Sequence, residues 1–131
     1  MFLGTFDTKA NDKWQVSLPA KIKNALGGDR AIISAGFEKC IYGFTISDWE
    51  ITSAQELQKP LSTPEGREIR KQMFAKALEI DLDKQGRFVI PDYLRKHAGL
   101  TGELIVIGAG DHFEIWDKEE YDRLSHSGIA E

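Results

Sequence analysis

The sequence predicts an α+β fold built from two tandem β-β-α-β-β-α units. The units pack on each other as a pseudo-dimer with interleaved hairpins and short helices. Two observations carry this. Asp83-Lys84-Gln85-Gly86-Arg87-Phe88-Val89-Ile90-Pro91 has a worn counterpart 72 positions earlier, Asn11-Asp12-Lys13-Trp14-Gln15-Val16-Ser17-Leu18-Pro19. A period this long, present twice, marks two copies of one module. The second observation is size: in 131 residues, four short strands and a small helix cannot enclose a core alone.

Each element follows from local pattern. Phe6, Thr8 and Ala10 alternate with Asp7 and Lys9, the period of a strand with one buried face. Asn11-Asp12-Lys13 reads as a turn, and Val16 and Leu18 mark a second short strand. Pro19 suits the first position of a helix running to Leu26 with Ile22, Ala25 and Leu26 inward. Gly27-Gly28 then supplies a left-handed cap. Ala31-Ile32-Ile33 and Cys40-Ile41-Tyr42 predict a hairpin around a longer loop. Ser47 with Glu50 reads as a capping box, with Ile46 and Ile51 as the staple and Ile51, Ala54 and Leu57 facing inward.

Thr63 and Pro64 open a connecting helix with Ile69, Met73, Phe74 and Ala77 on one buried side. The second copy follows. Residues 77–82 form the strand opposite residues 5–10, and Phe88-Val89-Ile90 matches Val16-Ser17-Leu18. A short helix starts at Pro91, with Leu94 and Ala98 inward and Gly99 at its end. Leu104-Ile105-Val106-Ile107 and Phe113-Glu114-Ile115-Trp116 make the second hairpin. Asp117 with Glu120 caps the last helix, stapled by Trp116 and Tyr121. The division expected is 1–60, a connecting helix at 61–76, a second unit at 77–124, and a frayed polar tail at 125–131.

The net charge is −4, which alone speaks mildly against nucleic acid. Its distribution matters more. Residues 9–23 carry +3 and residues 83–97 carry +2, while residues 103–131 carry −6. The positive segments are the two copies of the repeated stretch, although solvated helix faces would give the same pattern. The single cysteine, Cys40, rules out an internal disulfide and fits a reducing cytoplasm. No apolar run approaches a membrane span, and Met1-Phe2-Leu3-Gly4-Thr5 lacks the features of a signal peptide.

These residues resemble the MraZ family, bacterial transcriptional regulators of the SpoVT/AbrB-like group. The resemblance rests on Met1-Phe2-x-Gly4, Ser17-Leu18-Pro19-Ala20-Lys21, Asp83-x-x-Gly86-Arg87-x-x-Ile90-Pro91 and His97-Ala98-Gly99-Leu100. Val106-x-Gly108 and Phe113-Glu114-Ile115-Trp116-Asp117 extend it. It implies a SpoVT/AbrB-like barrel and a ring of subunits. It also implies that Asp-x-x-x-Arg motifs, one per repeat, contact direct repeats in double-stranded DNA upstream of the division and cell-wall gene cluster. A nucleoid-associated protein follows. The first repeat departs from the pattern, with Asn11 for the aspartate, Trp14 for the glycine and Gln15 for the arginine; Leu3 stands where a basic residue is usual.

The candidate DNA-binding residues are therefore Lys13, Gln15, Lys84 and Arg87, supported by Asn11, Asp83 and Gly86. Arginine can fork onto guanine O6 and N7 or clamp a phosphate. The lysines would meet phosphates and set orientation. Gln15 keeps the capacity to pair with adenine but has no charge. An ion pair serving the turn alone is the competing reading of Arg87. Trp14 reads as a plug over the repeat interface, or as a base-stacking wedge. Lys21, Lys23, Arg95 and Lys96 are phosphate contacts or plain exposed helix charge.

Catalytic readings are thin. His97, His112 and His126 lack metal-ligand spacing, and Cys40 reads as core. Gly108-Ala109-Gly110 lies between strands, so it is a hairpin turn with Asp111 and His112 as polar turn residues. No cofactor or small-molecule substrate is expected. A scaffold subunit with weakened or lost DNA binding is the alternative, and an enzyme on a related barrel is more distant.

Overall fold

The structure is a computed structural model that describes residues 1–125; the expected tail beyond Ser125 lies outside the described residues. The chain runs β1 (Thr5–Lys9), β2 (Gln15–Ser17), α1 (Ala20–Leu26), β3 (Arg30–Ala35), β4 (Ile41–Phe44) and α2 (Ile46–Glu56). Then α3 (Pro64–Ile69) runs on into a π-helical turn at Arg70–Phe74. After it come β5 (Leu78–Asp81), β6 (Arg87–Val89), α4 (Asp92–Ala98), β7 (Glu103–Gly108), β8 (Phe113–Asp117) and α5 (Lys118–Ser125).

The architecture is mixed α and β with antiparallel sheets. Six strands form one sheet in the order β1-β7-β8-β4-β3-β5, and β2 and β6 form a separate ribbon. The β7–β8 hairpin lies between β1 and β4, and the β3–β4 hairpin lies between β8 and β5. β1 pairs with β7, β5 with β3, and β4 with β8. β1 and β5 therefore end up at the two far edges of the larger sheet.

The core is shared in the same way. Val16, Ile22, Ile33 and Ile41 join Leu94, Leu104, Val106 and Phe113 in one buried cluster. Fully burying a branched side chain of this size stabilises by about 2 kcal/mol, and here each one does so against residues from both ends of the chain. Gly43 opposes Phe113 in the register. The Phe113 ring occupies the space where a Cβ on Gly43 would go.

Helix boundaries follow local chemistry, with three corrections to the sequence reading. Pro19 and Pro91 sit one residue before their helices, as caps with extended backbone (ψ 146° and 150°), rather than at the first helical position. Gly27 and Gly99 end α1 and α4 at φ 70° and 60°, a conformation glycine adopts without strain. α2 is capped by Thr45, not Ser47: the Thr45 hydroxyl accepts the Asp48 N–H at 2.9 Å.

The buried face of α2 also differs from the one expected. Trp49 turns inward between Phe44 and Phe74, with ring centroids 5.3 and 5.6 Å away. Ile51, Ala54 and Leu57, expected inside, face outward. The other helix ends match expectation. Thr63 accepts the Gly66 N–H at 3.0 Å. Asp117 accepts the Glu120 N–H at 3.3 Å, and Trp116 packs on Tyr121 at 5.7 Å.

Candidate nucleic-acid interface

The two repeated loops have one construction. In the later loop, Asp83 Oδ1 accepts the backbone N–H groups of Gln85 and Arg87, both at 2.9 Å. In the earlier loop, Asn11 Oδ1 accepts those of Lys13 and Gln15, again both at 2.9 Å. A short side chain that takes two backbone donors fixes a tight turn. The residue just before the strand is then driven to positive φ, which is 74° at Gly86 and 60° at Trp14. Trp14 is the one non-glycine residue with positive φ among the described residues.

The loops are also tied to each other's strands. Gly86 C=O accepts the Leu18 N–H at 3.0 Å, and Trp14 C=O accepts the Ile90 N–H at 2.9 Å. Between these ties, β2 and β6 pair as Gln15 with Val89, Val16 with Phe88, and Ser17 with Arg87. Side chains alternate across a strand. Val16 and Phe88 point into the core, at 0% and 5% exposure. Gln15, Ser17, Arg87 and Val89 share the outer face, with Val89 56% exposed.

Arg87 is held without being buried. Its Nε donates to Asp83 Oδ2 at 2.7 Å, and its side chain is 41% exposed. The bond uses the inner edge of the guanidinium, leaving the outer nitrogens with no partner among the described residues. The Arg87 backbone N–H and guanidinium, with the Gln85 N–H, hold the Asp83 carboxyl below the usual carboxylate range. The ion pair and a partly exposed fork therefore coexist. Lys13 and Lys84 are exposed at the turn tips.

Helix cations brace each loop from the other end of the chain. Lys23 of α1 lies along Gly86 and donates to the Lys84 carbonyl at 2.7 Å. Arg95 of α4 lies over the Trp14 ring, 5.0 Å from its centroid, and pairs with Asp92 at 3.3 Å. Trp14 itself is half-buried against the core cluster, in keeping with a plug. Lys96 also pairs with Asp92, at 3.0 Å, and Lys21 is exposed.

The sequence reading missed two features. Ser17 and Val89 belong to the exposed face, which simple alternation around Val16 and Phe88 signals. His112 is more than a polar turn residue. It bonds Asp111 and Glu114, each at 2.8 Å, and stacks on Phe44 at 5.6 Å. Its partner two residues along, on the same strand face, was the available signal.

Cys40 is fully buried, and burial pushes its thiol pKa far up, so it is no nucleophile in this state. Among the described residues no three His, Cys, Asp or Glu side chains gather as a metal site. No helix among them is long and apolar enough to cross a membrane.

Fold and site together define a small mixed α and β protein that presents two matching turns at the ends of one β-ribbon. The family model described as "MraZ protein, putative antitoxin-like" matches residues 1–72 and again residues 73–131. The chain belongs to the MraZ family. Membership suggests a DNA-binding regulator rather than an enzyme.

Proposed function

We propose that this protein is a sequence-specific, DNA-binding transcriptional regulator of the division and cell-wall gene cluster. It acts as a ring oligomer on direct repeats upstream of those genes, in the cytoplasm and at the nucleoid. The observation that carries the reading is Arg87, held by Asp83 through Nε with its side chain 41% exposed and its outer nitrogens without a partner among the described residues. Lys13 and Lys84 would neutralise phosphates beside it. One module with so few cations binds weakly at physiological salt. Several on one ring gain through effective concentration.

The reading includes the architecture. Two tandem β-β-α-β-β-α repeats, at 1–60 and 77–124 with a connecting helix at 61–76, form an interleaved pseudo-dimer barrel of SpoVT/AbrB-like type. The two successive family matches and the strand pairing across the two halves support it.

The alternative is an oligomeric scaffold subunit whose DNA binding is weakened or lost. The outward apolar residues Ile51 and Leu57, at 59% and 43% exposure, favour it. A gel-shift series on DNA upstream of the protein's own gene, at two salt concentrations, separates the readings. Arg87→Ala should abolish the shift. Unchanged affinity in that variant removes the proposed reader, and salt-insensitive oligomers without DNA affinity favour the scaffold.

A further inference from the structure

The first loop looks degenerate in sequence but is intact in structure. Asn11 reproduces both backbone bonds of Asp83 through the same atom, Oδ1. With Oδ1 fixed as the acceptor, Asn11 must turn its Nδ2 towards residue 15. There it donates to Gln15 Oε1 at 3.4 Å. That bond occupies the Gln15 amide oxygen and leaves its amide nitrogen without a hydrogen-bond partner among the described residues.

The later loop follows the same logic with charges. Asp83 Oδ2 takes Arg87 Nε and leaves the outer nitrogens free. One pair is neutral, with Asn11 donating at 3.4 Å, and the other is ionic, with Arg87 donating at 2.7 Å. Replacing aspartate and arginine together by asparagine and glutamine leaves the loop's net charge unchanged. Only the chemistry it presents differs.

The neighbours differ in step. Gln15 lies directly across the ribbon from Val89, and Arg87 directly across from Ser17. A two-stranded ribbon can enter the major groove, where glutamine pairs with adenine N6 and N7 and an apolar side chain meets the thymine methyl. Gln15 with the exposed Val89 thus matches both halves of an A·T pair. Arg87 with Ser17 matches guanine and offers no apolar partner.

We infer that Gln15, set by Asn11 and flanked by Val89, is a second and chemically distinct base reader. The protomer's site is then asymmetric, with guanine at the Arg87 end and an A·T pair at the Gln15 end. This inference rests on the DNA-binding reading.

The test is selection from a randomised duplex DNA pool, using the full chain, followed by titration at several salt concentrations. Wild type should enrich one guanine position and one A·T position a few base pairs apart. Gln15→Ala should lose the A·T preference, on the order of tenfold in relative affinity, while keeping the guanine.

The double variant Asn11→Asp with Gln15→Arg should replace the A·T position by a second guanine. It should leave the log–log salt slope nearly unchanged, because the exchange adds no net charge and places the new arginine on a base rather than a phosphate. If Gln15→Ala and the double variant select the wild-type site, the inference is overturned and the Arg87 reading stands. If wild type binds no duplex at low salt, both fall.

Discussion

Trp14 carries a bulky side chain at φ 60° where the matching loop has Gly86 at φ 74°. A residue with a Cβ in this region costs about 1 kcal/mol or more. The strain persists because the indole packs on the core cluster and holds the Arg95 guanidinium over its face. Trp14→Gly therefore relieves strain while losing packing. The expected net loss is about 1–2 kcal/mol, smaller than the 3–5 kcal/mol usual for truncating a buried tryptophan. Gly86→Ala has only the strain, since the atoms its Cβ meets belong to the flexible Lys23 chain. It should cost about 1 kcal/mol and loosen the Lys23 brace on Lys84. Urea midpoints at constant m-value check both. A stabilised Trp14→Gly would mean that the backbone strain outweighs what the indole contributes to the fold.

At the scale of elements, the turn leading into β8 holds a small titratable cluster. Nδ1 and Nε2 of His112 both meet carboxylates, those of Asp111 and Glu114. Two such bonds need both ring N–H groups, so they favour the imidazolium. Burial pushes the His112 pKa down, but the bonds to Glu114 and Asp111 outweigh it and the net direction is up. Burial likewise opposes ionisation of Glu114, yet His112 and Trp116 hold its carboxyl low. A raised folded-state pKa stabilises fully below the unfolded value of about 6.5, and the contribution is lost as pH rises through the folded value. The urea midpoint should therefore fall as pH is raised from 6 into the alkaline range, and His112→Gln should flatten that dependence. An equally steep fall in the variant would assign it elsewhere. Elements were legible where proline, glycine and short polar residues punctuate the chain, as at Gly27, Thr63 and Asp117. The face of α2 was not, because Thr45 and Ser47 are both competent caps. The choice is made by Trp49 docking between Phe44 and Phe74, and Phe74 is far along the chain. In the site, the matched Asn11 and Asp83 turns were readable from their spacing. That Asn11 keeps its turn intact, and that Val89 stands beside Gln15, required the pairing register.

At the scale of the molecule, each segment is completed by a distant one. The strand that β2 pairs with is β6, and the edge strands β1 and β5 each lie on a hairpin from the other half. The 72-residue offset announced two related segments but could not fix this exchange, since a strand's partner is set by which edges remain open after the hairpins form. The exchange has a measurable consequence. A chain of residues 1–60 would keep the β3–β4 hairpin, but β1 and β2 would lose β7 and β6, and the hairpin would lose β5 on one edge and β8 on the other. Unpaired buried backbone groups and an open core face are costly, so such a half should have no stable monomer. Its open strand edges match those of residues 77–131, because in the whole molecule β1 takes β7, β2 takes β6, β3 takes β5 and β4 takes β8. The two halves, each unfolded or self-associated alone, should regain a helix-and-strand circular dichroism spectrum when mixed in equal amounts. Sedimentation should show them associated one to one. Loop-closure entropy no longer assists the mixed pair, so its stability should depend on concentration. A residues 1–60 fragment that sediments as a folded monomer, with a cooperative urea transition, would show that the interleaving is not what holds the fold together.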